Sequence, residues 1–137
     1  MERIGIYGGS FNPPHIGHMD AARAAVAALK LDRLLLVPAG QAPHKPAPAG
    51  TPAPEHRLRM LEIAARGLEK AELCDLEMNR EGPSYTYETV EQLRQMYPEA
   101  ELVLLMGTDM FLSFLTWYKP ERIYRNATLG VFCRGIK

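Results

Sequence analysis

The sequence predicts an α/β protein in which a parallel sheet is covered by helices on both faces. Three observations carry this expectation. Strand-like and helix-like segments alternate over all 137 residues. The strand segments are near-continuous apolar runs, the pattern of strands buried on two sides rather than one. The glycine-rich and polar segments follow the first, second and fourth strands. With right-handed connections those ends share one edge of the sheet, where such folds bind ligands.

Taken in order, Arg3–Tyr7 is a short apolar strand running into Gly8-Gly9. Gly17–Lys30 repeats Met19, Ala22, Val26 and Leu29 at helical spacing along one face. Arg33–Val37 is an unbroken apolar run stopped by Pro38. Residues 39–54 are rich in proline and have no apolar period. They are too long for a plain connection and read as a surface loop with a task. Glu55–Leu68 is a second helix with Leu58, Leu61, Ala65 and Leu68 inward, and Glu72–Glu77 a weaker strand. Thr86–Tyr97 is a third helix, its stripe made of Tyr87, Val90, Leu93 and Tyr97. Glu101–Met106 is another apolar strand ending in Gly107, Thr108–Arg125 a helix broken around Pro120, and Leu129–Cys133 the last strand.

Composition narrows the function classes. The length suits a single domain, 1–137, with one hydrophobic core. Sixteen basic residues balance sixteen acidic ones without a run of either sign, so no nucleic-acid partner is expected. No apolar run is long enough to cross a bilayer, and the opening MERIGIYGG enters a strand directly. The expectation is a cytoplasmic protein with no membrane partner. Cys74 and Cys133 lie far apart without metal-ligand spacing and read as buried thiols in a reducing compartment.

The most informative string is Gly8-Gly9-Ser10-Phe11-Asn12-Pro13-Pro14-His15-Ile16-Gly17-His18. Paired glycines after a strand let a ligand approach the backbone, and the helix that follows turns its unpartnered amides toward an anion. His15 and His18 are three apart at that helix opening, and both are able to donate to phosphate oxygens. Fixed donors of this kind stabilise charge that builds during displacement at a phosphorus. Neither GxxxxGK[ST] nor, at this turn, GxGxxG is present, which excludes the common kinase and dehydrogenase fingerprints.

This string resembles the (H/T)xGH signature of the nucleotidyltransferase superfamily, which includes nicotinate-nucleotide and pantetheine-phosphate adenylyltransferases. The resemblance implies that His15 and His18 are the catalytic residues, touching ATP phosphates. It also implies that Gly8, Gly9, Ser10, Phe11, Asn12 and Gly17 line the nucleotide site. The literal HIGH at 15–18 also matches class I aminoacyl-tRNA synthetases, but neither their KMSKS-like loop nor their length is found here.

Three further segments resemble the bacterial nicotinate-nucleotide adenylyltransferase family. Val37–Lys45 is similar to its PPHK-type loop, and Gly82-Pro83-Ser84-Tyr85-Thr86 to its GPSYTxxT helix opening. Gly107-Thr108-Asp109 with Thr116-Trp117-Tyr118-Lys119 is similar to its GxDxxxxxxxW(Y/H) stretch. By that resemblance His44, Lys45, Ser84, Tyr85, Thr86, Trp117 and Tyr118 bind the acceptor, and Gly107 and Asp109 complete the ATP site. The residues leave alternatives open. Asp109 either accepts from a ribose or caps the helix beginning near Met110. Trp117 either stacks on a pyridine ring or belongs to the core. Lys45 either pairs with the acceptor phosphate or is a solvated loop lysine. His56 reads as surface.

The combined expectation is a Rossmann-like parallel sheet of about five strands, in the order 3-2-1-4-5. The reaction implied is transfer of AMP from ATP to nicotinate mononucleotide, giving deamido-NAD and pyrophosphate in NAD biosynthesis. Magnesium is expected to ride on the ATP phosphates, with no protein-built metal site. The alternatives are a relative acting on nicotinamide mononucleotide or phosphopantetheine, and a nucleotide-binding fragment without catalysis. Family members carry an ISSTxIR-type segment after the fifth strand. This chain ends at Lys137 without one, so a missing C-terminal subregion, reduced turnover and self-association through the last strand's exposed edge are expected.

Overall fold

A computed structural model describes residues 1–9, 16–39, 54–78 and 85–132, with the side chains of residues 16–18 and 54 left out. Five strands, β1 (Arg3–Gly9), β2 (Arg33–Pro38), β3 (Ala71–Leu73), β4 (Glu101–Gly107) and β5 (Thr128–Phe132), form one sheet. Its order is β3-β2-β1-β4-β5 and every pairing is parallel, as expected. The helices are α1 (Ile16–Ala28), α2 (Pro54–Ala64), α3 (Thr86–Met96), α4 (Thr108–Leu112) and α5 (Pro120–Tyr124).

Strand alternation sorts the core into two layers. Ile4 and Ile6 of β1, Leu35 and Val37 of β2, and Leu102, Leu104 and Met106 of β4 face a layer shared with Val90, Leu93, Phe114 and Ile123. Tyr7, Leu34, Leu36, Val103 and Leu105 face the opposite layer, with Met19, Ala22 and Ala25 of α1 and Leu61 of α2. The continuous apolar runs therefore feed two faces at once, which is why their period of two is invisible in hydropathy alone.

The segment boundaries depart from the sequence reading by a residue or two at α1, α3 and β5, and in four further places with a local cause. Gly8, Gly9 and Pro38 belong to the strands: Gly8 pairs with Val37 and Gly9 with Pro38. The Ala39 amide then donates to the Gly9 carbonyl at 2.8 Å. The second helix loses α-form at Ala64 and closes as a 3₁₀ turn over Ala65–Gly67. The weak strand spans Ala71–Leu73 instead of Glu72–Glu77; the Cys74 amide makes one more bond to the Leu36 carbonyl before the chain turns away. The broken helix is interrupted on the N-terminal side of Pro120. It breaks between Leu112 and Lys119, through a 3₁₀ turn at Phe114–Thr116, and Pro120 opens α5 at the position where its missing amide costs least. Cys74 is half-buried where burial was expected, and Cys133 lies outside the described residues.

Charged pairs gather at the amino ends of the strands. Arg33 at the start of β2 makes a two-pronged contact with Glu72 of β3 at 2.7 and 2.9 Å and donates to the Tyr97 hydroxyl at 3.1 Å. Arg3 reaches Glu101 at 3.0 Å, joining β1 to β4. Arg94 of α3 donates to the Ala100 and Asn126 carbonyls at 2.6 and 2.7 Å, just before β4 and β5 begin. No helix among the described residues is long and apolar enough to cross a membrane.

Gly5 sits where β1 passes under packed leucines. A Cβ there would lie 2.6 Å from Leu31 Cδ1 and 3.0 Å from Leu34 Cδ1, and both leucines are fully buried. Gly5→Val is therefore expected to destabilise the fold by about 1–3 kcal/mol through overpacking, measured as a lower denaturation midpoint in urea. A second expectation concerns acid. The Arg33 hydrogen bond holds the Glu72 carboxyl below the usual carboxylate range. The unfolded chain then binds the proton first as pH falls, so the pair's stabilisation is complete above the ordinary carboxylate pKa and is lost toward the lowered folded value. Thermal midpoints followed from neutral to acid pH should fall less steeply in Glu72→Gln than in the parent chain.

Candidate functional site

With the amino ends stitched by charge, the carboxyl ends of the strands remain for chemistry. β1 ends there in Gly8-Gly9, and α1 opens shortly after, with Gly17 and His18 in its first turn. Gly8 is exposed, its backbone is not left-handed, and an added Cβ would meet only the Val37 carbonyl oxygen, at an ordinary 3.7 Å. The fold itself places no demand for glycine at this position. Ser10, Phe11, Asn12 and His15 lie outside the described residues, as do His44, Lys45 and Ser84.

The described part of the site is a cavity of about 440 Å³ between the start of α3 and the segment after β4. Tyr85, Thr86, Trp117 and Tyr118 all line it, although the two pairs are more than thirty residues apart in the chain. The local chemistry explains their placement. Tyr85 is the N-cap of α3 with extended backbone, and Glu88 reaches back to accept from its amide at 3.3 Å. That fixes the helix entry and leaves Thr86 as first residue of an eleven-residue helix, whose positive end opens on the cavity. Below the first turn, Thr89 is buried and donates to the Glu77 carboxylate at 2.7 Å, tying α3 to the chain after β3.

On the other wall, Trp117 is half-buried. Its ring lies 5.2 Å from that of buried Phe114, and its Nε1 makes a long 3.4 Å bond to Ser113 Oγ. Trp117 thus packs against the core and also lines the cavity. Tyr118 is exposed at the rim, 5.0 Å from Tyr85 and 5.6 Å edge-on to Tyr87. Arg122 lies 4.8 Å over the Tyr87 ring and forms a two-pronged pair with Glu91, holding that carboxyl below its usual range.

Gly107, at the end of β4, is the N-cap of α4 in extended conformation, and Asp109 is the second residue of the helix, exposed. The alternative of Asp109 as N-cap is thereby corrected: the cap belongs to the residue two places earlier. His56 is exposed, as read. Among the described residues no group of three His, Cys, Asp or Glu is placed to hold a metal ion.

Several cavity residues were missed in the sequence. Met110, Ser113, Thr116 and Ile123 complete the lining. Met110 and Ser113 are one turn apart on the same segment, a weak signal; Ile123 is fully buried under the cavity floor. Arg57 gave no signal either. It is buried in α2 and donates to the Ala39 carbonyl at 2.9 Å, where the chain leaves β2.

A family model described as cytidylyltransferase-like matches residues 6–136. A relative from Thermomicrobium roseum, named as a nicotinate-nucleotide adenylyltransferase, is 44% identical over 138 residues, covering 100% of this chain and 64% of the relative. One of the same name from Shewanella baltica is 45% identical, covering 94% of this chain and 59% of its own length. The chain thus spans about three fifths of the curated relatives it matches. Among solved structures, a nicotinate-nucleotide adenylyltransferase from Vibrio parahaemolyticus superposes with a TM-score of 0.79 at 25% identity, over 99% of this chain and 76% of that one. A Plasmodium falciparum nicotinic acid mononucleotide adenylyltransferase complexed with NaAD shares the fold, with a TM-score of 0.80 at 17% identity, over 100% of this chain and 78% of that one.

Proposed function

This chain belongs to the cytidylyltransferase-like family, and from that premise we propose that it forms the nucleotide-binding core of an adenylyltransferase acting on nicotinate mononucleotide. The observation that carries the reading is the cavity gathering Tyr85, Thr86, Trp117 and Tyr118 at one mouth beside the carboxyl end of β4. An aromatic wall, a helix N-terminus and a volume of about 440 Å³ suit a flat ring bearing an anionic substituent. The names of the relatives support the same acceptor, and nothing in them favours phosphopantetheine.

In this reading the pyridine ring stacks on Trp117, with Thr86 and the Tyr118 backbone meeting its carboxylate. Lys45 and His44 border the acceptor phosphate, and Ser84 and Tyr85 also contribute to acceptor binding. An oxygen of that phosphate attacks the α-phosphorus of ATP, the bond to the β-phosphate oxygen breaks, and pyrophosphate leaves. No covalent intermediate with the protein is needed. ATP enters as its magnesium complex over Gly8, Gly9, Ser10, Phe11 and Asn12. Gly107 and Asp109 take the ribose side, and His15, Gly17 and His18 face the phosphates. The charge that grows on the equatorial and departing oxygens is met by the two histidines and the amides opening α1. The apolar edge strand β5, with Val131 exposed, supports self-association, and the composition supports a cytoplasmic setting.

The test is pyrophosphate release with a panel of acceptors: nicotinate mononucleotide, nicotinamide mononucleotide and phosphopantetheine. The first should be preferred; preference for phosphopantetheine would sink the proposal. Two variants separate the roles. His18→Ala should lower kcat by about two to three orders of magnitude, with acceptor affinity nearly unchanged. Trp117→Ala should weaken acceptor binding by about 1–3 kcal/mol while ATP binding holds, as calorimetry on the two ligands would read.

A further inference from the structure

Lys119 joins the cavity wall to α5 in an unusual way. Its backbone is left-handed, φ 51° and ψ 54°, directly before Pro120. A Cβ disfavours that region, and a following proline steers its predecessor toward extended backbone, so two preferences are overridden at one residue. Both flanks are pinned. The Trp117 amide donates to the Phe114 carbonyl at 3.0 Å, and the Arg122 amide to the Lys119 carbonyl at 3.0 Å. Between them the lysine side chain lies over the tyrosines, its Nζ 5.2 Å from the centroid of Tyr87 and 5.3 Å from that of Tyr118. Arg122, the other cation on Tyr87, is engaged by Glu91, whose carboxylate also feels Lys119.

We propose that Lys119 is a positioning residue for acceptor recognition. Its ammonium clamps Tyr87 and Tyr118 and holds the left-handed turn that presents Tyr118 and Trp117 together to the acceptor ring. The inference rests on the reading of this cavity as a pyridine mononucleotide site. A cation shared by two rings links α3, through Tyr87, to the segment after β4, through Tyr118. It therefore ties α3, one residue beyond the lining Thr86, to Tyr118 on the other wall.

Trp117 is the single tryptophan, so its fluorescence reports ring occupancy independently of turnover. The full chain is titrated with nicotinate mononucleotide alongside Lys119→Arg, Lys119→Met and Lys119→Gly, with circular dichroism to establish that each is folded. Arginine keeps the cation, glycine keeps only the left-handed backbone, and methionine keeps only the length. The parent and the arginine variant should quench alike. Methionine and glycine should raise the dissociation constant about three- to tenfold, with the KM for ATP unmoved. Equal affinities throughout, or an arginine variant as weak as the methionine one, would overturn the role of Lys119 and leave the cavity reading standing. Failure of nicotinate mononucleotide to quench the parent chain removes both.

Discussion

A parallel strand buried on both faces has no side on which to carry a polar group, and most of this molecule's organisation follows from that constraint. β1, β2 and β4 send alternate side chains into two apolar layers, so their charged side chains, Arg3, Arg33 and Glu101, stand at the strand ends. The two ends are then used differently. At the amino ends, Arg3 with Glu101 and Arg33 with Glu72 and Tyr97 bind neighbouring strands to one another. At the carboxyl ends the strands finish in Gly8-Gly9, Pro38 and Gly107, residues with little or no side chain to obstruct an incoming ligand.

That division makes the site a product of the connections rather than of the strands. The helix after β3 and the segment after β4 return to the same edge because right-handed crossovers leave them no other place. Buried Val90, Leu93 and Ile123 lock α3 against α5, and the tyrosines above them close the contact toward solvent. The cavity between is bounded by a core residue below and aromatic rings at its side, a rigid frame for a planar ligand. Rigidity of this sort is what lets binding energy go into orientation. It also explains why strain at Lys119 is tolerable: the packed elements on either side over-determine the turn.

In the proposed function the cavity and the glycine turn divide recognition between them. The aromatic mouth suits a ring, while the α1 opening suits phosphate, and the two lie on neighbouring strand ends of β4 and β1. The curated relatives extend well beyond the length matched here.

By itself the sequence determined the layered α/β class and the parallel sheet, because continuous apolar runs alternating with helical stripes have few other solutions, while the strand order was implied by the family resemblance. It also marked Tyr85, Thr86, Trp117 and Tyr118, because their segments resemble motifs of a known family. It did not determine where the helix between Thr108 and Arg125 would break, since a proline reads as a breaker whether it ends one helix or starts the next. Nor did it distinguish the two readings of Trp117 or the cap of α4, which depend on which atoms stand within a few ångströms. The burial of Arg57 and the left-handed Lys119 with its ammonium over two tyrosines belong to the tertiary structure alone. Hydropathy and spacing record which face of an element is apolar. Only packing decides which faces meet, and the cavity exists where two of them do not quite close.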